Sequence, residues 1–394
     1  MRILMVSDVY FPRVNGVSTS IQTFRRELPR LGVEVDLICP EYPTDYAEGG
    51  ITRIRSRYLP FDPEDRLMNR RDLMLQLPSL AARNYDLVHV QTPFVAHYSG
   101  IKLARQLGVP VLTTYHTLFE EYVEHYAKMI PSGWTKPIMR NLSRSQCNAT
   151  DGVVAPSVPM RDTLLKYGVT APIDVIPTGI PLQQFSSGHR TAFRARHDIS
   201  EERIVALFVG RAAHEKNIDL LIYAADRIRH VHPNFLLLIT GEGPAEDHLH
   251  TLVKRLDLDH HVRFLGYLDR NTELPDCYAA ADIFTFASLT ETQGLVVIEA
   301  MAAGLPVVAI PAMGVADMVD GCAGALASSN DPEAFASSVL SVIASKERLS
   351  SMSKAAAAHA QAWGAELNAE KLLRMYRRTC EGRRSLNTIQ SDAS

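Results

Sequence analysis

Residues 288–310 read SLTETQGLVVIEAMAAGLPVVAI, an apolar stretch that two carboxylates interrupt, Glu291 and Glu299. The spacing predicts a helix over 292–303, which the Gly-Leu-Pro sequence that follows would end. Short β-branched runs precede and follow this helix, so the stretch is part of a strand–helix–strand unit. Because both strands are continuously apolar, the unit is typical of a parallel sheet with helices on both faces.

The same unit repeats along the chain, since short β-branched runs alternate with helical stretches. In the first half the predicted strands are RILMVS (2–7), VEVDLIC (33–39), DLVHV (86–90), VPVLTTY (109–115), DGVVAP (151–156) and IDVIP (173–177). In the second half they are RIVALFVG (203–210), NFLLLIT (234–240), VRFLG (262–266), DIFTFA (282–287) and LPVVAI (305–310). The pattern predicts an α/β protein with two doubly wound domains, whose ligands bind at the carboxyl ends of the strands. A cleft between the domains is the expected active site.

Length and composition give the domain boundaries. With 394 residues, two domains are expected, and PTGIPLQQFSSG (177–188) has the Pro, Gly and Ser content of a linker. We therefore expect one domain over 1–180 and a second over 181–365. A helix over 366–384 is expected to pack back on the first domain, and residues 385–394 are expected to form a polar tail.

Composition argues against several classes of protein. The net charge of −3 gives no basic field for nucleic acid. The five cysteines form no C-x-x-C pair, and their odd number fits a reducing compartment, so a cytoplasmic protein is expected. The apolar run after Met1 is too short for a signal peptide. The most apolar run, 294–313, contains Glu299 and Pro306 and is not expected to span a membrane.

Two loops indicate anion binding. The loop SDVYFPRVNGVSTS (7–20) places Gly16 at the start of a helix, where bare amides favour anions; a plain Asn-Gly turn is the alternative. The loop VGRAAHEKN (209–217) carries Arg211 and Lys216 from a strand into a helix, and two cations there suit a diphosphate; a solvated basic loop is the alternative. Neither loop has the glycine pattern of the usual dinucleotide or ATP sites.

The two carboxylates of the opening stretch indicate an elongated ligand. On a helix that rises 1.5 Å per residue, Glu291 and Glu299 would lie roughly 10–12 Å apart, too far to share one small metal ion. They could accept hydrogen bonds from hydroxyls at two ends of one ligand, and a nucleotide-sugar has that shape. The alternative is that Glu299 is a buried acid satisfied by the backbone.

Together these features resemble glycosyltransferase family 4, retaining enzymes of the GT-B fold. Five motifs occur in the order expected of the family: the N-terminal glycine loop, VIPTGI, VGRAAHEKN, GEGP (241–244) and E-x7-E from Glu291 to Glu299. The resemblance covers nearly the whole chain. It implies two Rossmann-like domains that face each other across a cleft, the N-terminal one binding the acceptor and the C-terminal one the nucleotide-sugar donor.

The resemblance also implies roles for residues at the matching positions. Donor contacts are implied for Gly16, Arg211, Lys216, Gly266, Glu291, Thr292, Gln293, Gly294, Leu295 and Glu299. Arg211 and Lys216 would hold the diphosphate. Glu291 would hold the donor sugar and Glu299 the ribose, with the base near Gly266. His116, in TTYHTLFEEYVEHY (113–126), matches the active-site histidine of the family, so the implied catalytic set is His116, Arg211, Lys216 and Glu291.

The implied chemistry is transfer of a hexose with retention of its anomeric configuration. Neither a metal nor another cofactor is expected, because cationic side chains and helix dipoles neutralise the departing nucleoside diphosphate. Two positions depart from the commonest family pattern: Asn15 stands where Gly is frequent, and Gln293 stands where Phe is usual.

The acceptor expected from the sequence is a lipid. ETQGL (291–295) and the sequence around His116 resemble the subgroup that transfers glucose to diacylglycerol. This implies UDP-glucose as donor and peripheral association with the inner face of the cell membrane. RYLPFDPEDRLMNRR (57–71) has the composition of an interfacial segment, or is a surface loop leading into a helix. The alternatives are a soluble acceptor (a sugar, sugar phosphate or inositol phosphate), GDP-mannose as donor, an epimerase, and a non-catalytic binding protein.

Overall fold

The computed structural model of the chain describes residues 1–43, 48–59, 62–116 and 132–392. It divides into two compact units. The first unit consists of Met1–Gly179 and Ala365–Ser394, and the second is Ile180–Gly364.

The first unit is built on a parallel sheet of seven strands. In spatial order these are β3 (Ile51–Ile54), β2 (Glu34–Pro40), β1 (Arg2–Val6), β6 (Leu87–Val90), β7 (Val111–Thr114), β8 (Gly152–Ala155) and β9 (Ile173–Val175). A separate antiparallel hairpin pairs β4 (Ser56–Leu59) with β5 (Asp62–Met68). The order of the strands reverses between β1 and β6, so the ends of these two strands form the topological switch point of this sheet.

Helices cover both faces of this sheet, because its central strands are buried and apolar. The helices of the first unit are α1 (Gly16–Glu27), α2 (Arg70–Leu75), α3 (Leu77–Ala81), α4 (Val95–Leu107), α5 (Ser132–Asn148), α6 (Val158–Lys166) and the final helix of the chain, α16 (Ala365–Asp392). The stretch that begins with α1 ends at Gly32 with φ +78°, and α4 ends at Gly108 with φ +70°. Both glycines take the left-handed conformation that their position after a helix predicts.

The final helix is part of the first unit. On α16, Leu372, Met375 and Tyr376 are buried in the same core cluster as Ile3 and Leu87. The helix continues to Asp392, whereas polarity predicts an irregular tail beyond residue 384. The difference arises because the last turns contain one glycine and no proline, and polar residues on a solvated helix cost little.

The second unit is built on a parallel sheet of six strands. In spatial order these are β12 (Val262–Gly266), β11 (Phe235–Thr240), β10 (Ile204–Val209), β13 (Ile283–Phe286), β14 (Val307–Ala309) and β15 (Ala325–Ala327). Its helices are α7 (Leu182–Ser186), α8 (Arg190–Arg196), α9 (Ile218–Val231), α10 (Glu246–Arg255), α11 (Glu273–Ala280), α12 (Leu295–Ala302), α13 (Ala316–Val319), α14 (Pro332–Ile343) and α15 (Lys346–Ala360). The order of the strands reverses between β10 and β13, which places the switch point of this sheet there.

Each strand predicted from an apolar run is present, and the α/β class is confirmed. The sequence did not predict β3, the β4–β5 hairpin or β15. The strands β3 and β15 are short and lie at sheet edges, and β5 (DPEDRLM) is rich in charged residues. They therefore lack the continuous apolar run of a strand buried on both faces.

Candidate active site

The loop after β13 carries the first carboxylate of the E-x7-E motif. Gly294, with φ +82°, is the residue before α12, so this helix begins at Leu295, three residues later than the sequence predicts. A Cβ at position 294 would lie 3.0 Å from Val315 Cγ2, and few side chains adopt such a φ. Glu291, Thr292 and Gln293 therefore belong to the loop, and the Glu291 carbonyl accepts a hydrogen bond from the Gly314 amide at 2.8 Å.

The structure brings together two of the predicted site residues, Lys216 and Glu291. Lys216 ends a short 3-10 helix (His214–Lys216) after β10, and its Nζ donates to Glu291 Oε1 in an ion pair. Their side chains are 20% and 19% exposed, so the pair is sheltered but open on one side. Both residues follow strands at the switch point of the second sheet.

Asn217 fixes the turn that presents Lys216. It has φ +55°, a left-handed conformation that is uncommon for a residue with a side chain. Its Nδ2 donates to Ala287 O at 3.2 Å and to Asn330 Oδ1 at 2.9 Å, which holds the turn against the end of β13. The other predicted cation of this loop, Arg211, is exposed, and no residue in the described part of the chain forms an ion pair with it.

The second carboxylate, Glu299, is buried in the second unit. It is 2% exposed, Arg270 donates to its Oε1 in an ion pair, and the Tyr278 hydroxyl donates to Oε2 at 3.0 Å. Burial raises the pKa of Glu299, and the Arg270 guanidinium and the Tyr278 hydroxyl oppose that rise. Glu299 is thus a buried acid, as one of the two sequence interpretations has it, although side chains rather than the backbone satisfy it.

Gly266, predicted to lie near the base, ends β12 with φ +67°. The amide of the next residue, Tyr267, donates to Glu242 Oε1 at 3.4 Å, and the Tyr267 side chain is 55% exposed. An exposed aromatic ring therefore stands at the carboxyl end of β12.

In the first unit, Gly16 occupies the first turn of α1. The side chain of Asn15 caps this helix by accepting from the Ser18 amide at 2.8 Å. A Cβ added at position 16 would meet no atom within 4 Å, so packing among the described residues gives no reason for a glycine there.

His116 lies just after β7, beside a pocket of the first unit. Its Nε2 is 3.1 Å from Gln91 Oε1, and burial lowers the pKa of His116 to about 4. The ring is therefore neutral at pH 7. Residues that line the pocket include Gln91, Thr92, His97, Thr114, His116 and Gln146. None of its described lining residues is Asp, Glu, Lys or Arg.

Two further histidines lie at this edge of the first sheet. His89 Nδ1 is 2.7 Å from the Tyr376 hydroxyl on α16, and His89 Nε2 is 2.8 Å from Thr114 Oγ1. Burial lowers the pKa of His89 to about 3 and that of His97 to about 4. All three rings at this edge are thus uncharged near neutral pH.

Asp8, at the end of β1, is a buried carboxylate near this pocket. Thr92 Oγ1 donates to it at 2.8 Å, and the Ala96 amide at the start of α4 donates at 3.0 Å. Burial raises the pKa of Asp8 to about 6, and these hydrogen bonds act in the opposite direction. Its partners are those of a carboxylate that caps a helix.

Among the described residues, no three His, Cys, Asp or Glu side chains gather as they would around a metal ion. Within the same residues, no helix is both long and apolar enough to cross a membrane. The sequence after His116, on which the lipid-acceptor resemblance partly rests, lies at 117–131, outside the described residues.

Sequence reasoning missed Gln91, Asn217, Arg270 and Tyr278. Gln91 directly follows β6 and Asn217 follows the loop of β10, so both stand at switch points, where a polar residue after an apolar strand is a usable signal. Arg270 and Tyr278 gave no such signal, because they reach Glu299 from other elements: Arg270 from the segment between β12 and α11, and Tyr278 from α11.

Comparison with known proteins finds a matching family model for each of the two units. The family model described as Glycosyltransferase Family 4 matches residues 14–184, and that described as Glycosyl transferases group 1 matches 189–359. An alpha-monoglucosyldiacylglycerol synthase from Streptococcus pneumoniae is 35% identical over 321 residues, which cover 78% of this chain and 71% of that protein. A D-inositol 3-phosphate glycosyltransferase from Segniliparus rotundus is 31% identical, covering 76% of this chain and 68% of that protein.

The crystal structure of Anabaena HepE in complex with UDP has the same fold. It superposes with a TM-score of 0.77 at 17% identity and covers 96% of this chain and 100% of that chain. With the two parallel sheets described above, this establishes the GT-B fold. The chain is an enzyme that belongs to glycosyltransferase family 4, and it resembles the diacylglycerol glucosyltransferases within that family.

Proposed function

We propose that this protein is a retaining hexosyltransferase that moves glucose from UDP-glucose to a hydroxyl group of a lipid such as diacylglycerol. The observation that carries the proposal is the Lys216–Glu291 ion pair at the switch point of the second sheet, beside the start of α12. It places a cation, a carboxylate and bare helix amides within one small region, and these are the groups that a sugar diphosphate needs.

In this proposal Arg211 and Lys216 bind the donor diphosphate. An ammonium group has three N–H donors, so Lys216 can keep Glu291 as a partner while it contacts a phosphate oxygen. Arg211 is exposed and can form a two-point contact with a phosphate. The amides at Gly294 and Leu295 add the positive end of the α12 dipole.

Glu291, with the loop at Thr292 and Gln293, holds the donor sugar in the same proposal. Glu299 holds the ribose in this proposal. Because Glu299 is buried, a neighbouring side chain must move before the ribose can reach it. A carboxylate offers about four acceptor positions, and Arg270 and Tyr278 use two of them. The ribose hydroxyls would reach Glu299 once Arg270, whose side chain is 24% exposed, turns outward.

The proposed chemistry breaks the bond between the anomeric carbon and the diphosphate oxygen. Arg211, Lys216 and the helix amides stabilise the negative charge that develops on the leaving group. The acceptor hydroxyl attacks the anomeric carbon on the face from which the diphosphate departs, and the leaving phosphate oxygen takes the hydroxyl proton. Because the charge is neutralised by side chains and amides, we propose that no metal ion takes part.

The lipid acceptor is supported by similarity to the glucosyldiacylglycerol synthase and by the pocket beside His116, whose described lining residues include no Asp, Glu, Lys or Arg. Peripheral association with the inner face of the cell membrane belongs to the same proposal. A soluble acceptor is the second candidate, and the D-inositol 3-phosphate glycosyltransferase relative favours it.

The test supplies radiolabelled UDP-glucose or GDP-mannose to the purified protein with diacylglycerol in mixed micelles, or with inositol phosphate in water. The proposal expects label from UDP-glucose to enter the organic phase, with the same yield in EDTA, and to be absent with Lys216→Ala. Label that moves only to the soluble acceptor would replace the lipid assignment. Activity that EDTA abolishes and a divalent ion restores would overturn the metal-free mechanism.

A further inference from the structure

The pocket beside His116 contains a hydrogen-bond donor that the fold leaves unused. Gln91 is 2% exposed and lines the pocket, yet its Nε2 has no hydrogen-bond partner among the described residues. A buried amide donor without a partner costs about 1–3 kcal/mol. An oxygen atom in the pocket, from a ligand or from an ordered water, would complete this donor and remove that cost.

The other end of the same side chain fixes the state of His116. The carboxamide oxygen of Gln91 can only accept, so the proton of the neutral His116 ring must lie on Nε2, which is 3.1 Å away. The ring nitrogen that remains, Nδ1, is then an acceptor, and the described residues supply no donor to it. Gln91 Nε2 is therefore available as a donor, and His116 Nδ1 is available as an acceptor beside it.

We propose that Gln91 contacts an uncharged hydroxyl group bound in this pocket: Gln91 Nε2 donates a hydrogen bond to the hydroxyl oxygen, and His116 Nδ1 accepts a hydrogen bond from the hydroxyl group. A hydroxyl is the simplest group that needs one donor and one acceptor at the same place. Gln91 is thus both a ligand contact and the positioning residue of His116. This inference rests on the proposed function and adds Gln91 as the residue that contacts the hydroxyl group and positions His116.

The charges around the pocket fit a neutral ligand. No described lining residue has a permanent charge, and a phosphate placed there would be desolvated without a counter-ion. Among the described residues, the titratable groups near the pocket besides His116 come from several elements: His89 on β6, His97 on α4, Tyr115 after β7, Cys147 on α5, Asp8 behind Thr92 after β1, and Tyr376 behind His89 on α16. Burial lowers the pKa values of His89 and His97 and raises the pKa of Cys147 to about 12, so these three side chains are uncharged at pH 7. Asp8 is the carboxylate in this set, and Thr92 lies between it and the pocket.

The hydroxyl could come from the acceptor or from the donor hexose, and the experiment separates the two. The variants are Gln91→Leu, which removes both ends of the amide at similar volume, and Gln91→Glu, which keeps an acceptor for His116 but removes the donor. The matched control is Gln22→Leu, the same change at an exposed glutamine of α1. Each full-length variant is assayed for kcat and for the KM of diacylglycerol, and its affinities for UDP-glucose and UDP are measured separately.

For Gln91→Leu we expect kcat/KM for diacylglycerol to fall about 5–30-fold, the value of a hydrogen bond between neutral groups. The affinities for UDP and UDP-glucose should equal those of the Gln22→Leu control. A loss of UDP-glucose affinity with UDP affinity unchanged would assign the hydroxyl to the donor hexose, and the contact with Gln91 would stand. If Gln91→Leu changes neither kcat/KM for diacylglycerol nor the affinity for UDP-glucose, the proposal is wrong.

A second readout follows the His116 ring directly. In protein labelled with 15N-histidine, with His116 assigned by its absence in His116→Ala, we expect a neutral ring protonated on Nε2 at pH 7. In Gln91→Glu the adjacent carboxylate should raise the pKa of His116, so that activity becomes steeply dependent on pH between 6 and 8, where the wild type is flat. An Nδ1-protonated ring in the wild type, or equal pH profiles, contradicts the assignment.

The NMR part of this readout needs no acceptor. If no lipid is glucosylated while the ring behaves as expected, the proposed function fails and the assignment of His116 stands.

Discussion

At the carboxyl ends of β10 and β13 the second unit gathers charges: Lys216 pairs with Glu291, and Arg270 pairs with Glu299 near the end of β12. The corresponding region of the first unit, at the ends of β1, β6 and β7, instead contains three histidines that burial keeps neutral. Both are parallel sheets with a switch point, so the fold alone does not set this difference. The difference matches what each is proposed to bind, a diphosphate in one unit and an uncharged hydroxyl in the other.

The two regions also differ in how they limit the desolvation cost of their buried ionisable side chains. The second unit buries charges but pairs them, which limits the cost of desolvation. The first unit avoids charge at its histidines, which makes its stability depend on pH.

Removal of the Lys216 ammonium group should lower the activity strongly. For Lys216→Ala we expect kcat/KM to fall by about 10²–10³-fold, as for removal of one preorganised group that stabilises a transition state. The measurement is steady-state transfer from UDP-glucose. Lys254→Ala, at an exposed lysine of α10, is the matched control and should retain full activity. Near-normal turnover of Lys216→Ala with an intact fold would refute the role of Lys216.

Acid should destabilise the first unit through its buried histidines. The pKa of His89 is about 3 in the folded chain against 6.5 for a free side chain, so the unfolded chain binds the proton first. Stability from this residue is present above pH 6.5 and is lost as the pH falls. Between pH 6.5 and 4.5 the loss is about 2–3 kcal/mol.

The variant His89→Gln cannot titrate and checks this prediction. Urea unfolding at pH 7 should show the variant less stable than the wild type, because the pairing with Tyr376 and Thr114 is altered. At pH 4.5 the gap should close or reverse. A gap that is constant with pH would show that His89 is not held neutral by burial.

The turn after Lys216 should need a residue that tolerates a positive φ. Asn217→Ala should destabilise the chain by about 1–2 kcal/mol through the left-handed backbone, together with the loss of two hydrogen bonds. Asn217→Gly should cost less, since glycine adopts φ +55° freely. Thermal unfolding of both variants is the measurement, and equal stabilities of the two would exclude backbone strain as the cause.

Substitution of Gly16 by alanine should have the smallest effect on stability. Because a Cβ there meets no atom within 4 Å, Gly16→Ala should change the free energy of unfolding by no more than about 0.5 kcal/mol. If the glycine serves the approach of a ligand, the KM for UDP-glucose should nevertheless rise. Unchanged kinetics with unchanged stability would leave Gly16 without a functional role.

The sequence predicts those elements of the fold that leave a local pattern of residues. The long apolar strands and the caps at Gly32 and Gly108 were predictable, because a buried parallel strand and a left-handed cap leave local marks. The hairpin β4–β5 left none. The start of α12 was misplaced by three residues, because Gly294 turns the chain and so extends the loop.

The partners within the site were the least predictable part. The motif E-x7-E gives the spacing of two glutamates but not that one pairs with Lys216 and the other with Arg270 and Tyr278. Those pairs join residues on different elements. Gln91 and His116 are likewise 25 residues apart and meet only because β6 and β7 are neighbours.

We propose that the charged region of the second unit binds the nucleotide and that the pocket beside His116 in the first unit does not. The direct test is calorimetric titration of UDP, with GDP as the alternative, into the wild type, Lys216→Ala and Gln91→Leu. We expect Gln91→Leu to bind as the wild type does and Lys216→Ala to bind at least about 10-fold more weakly, a change of about 1.4 kcal/mol. Wild-type affinity in Lys216→Ala, or an equal loss in both variants, would contradict the claim.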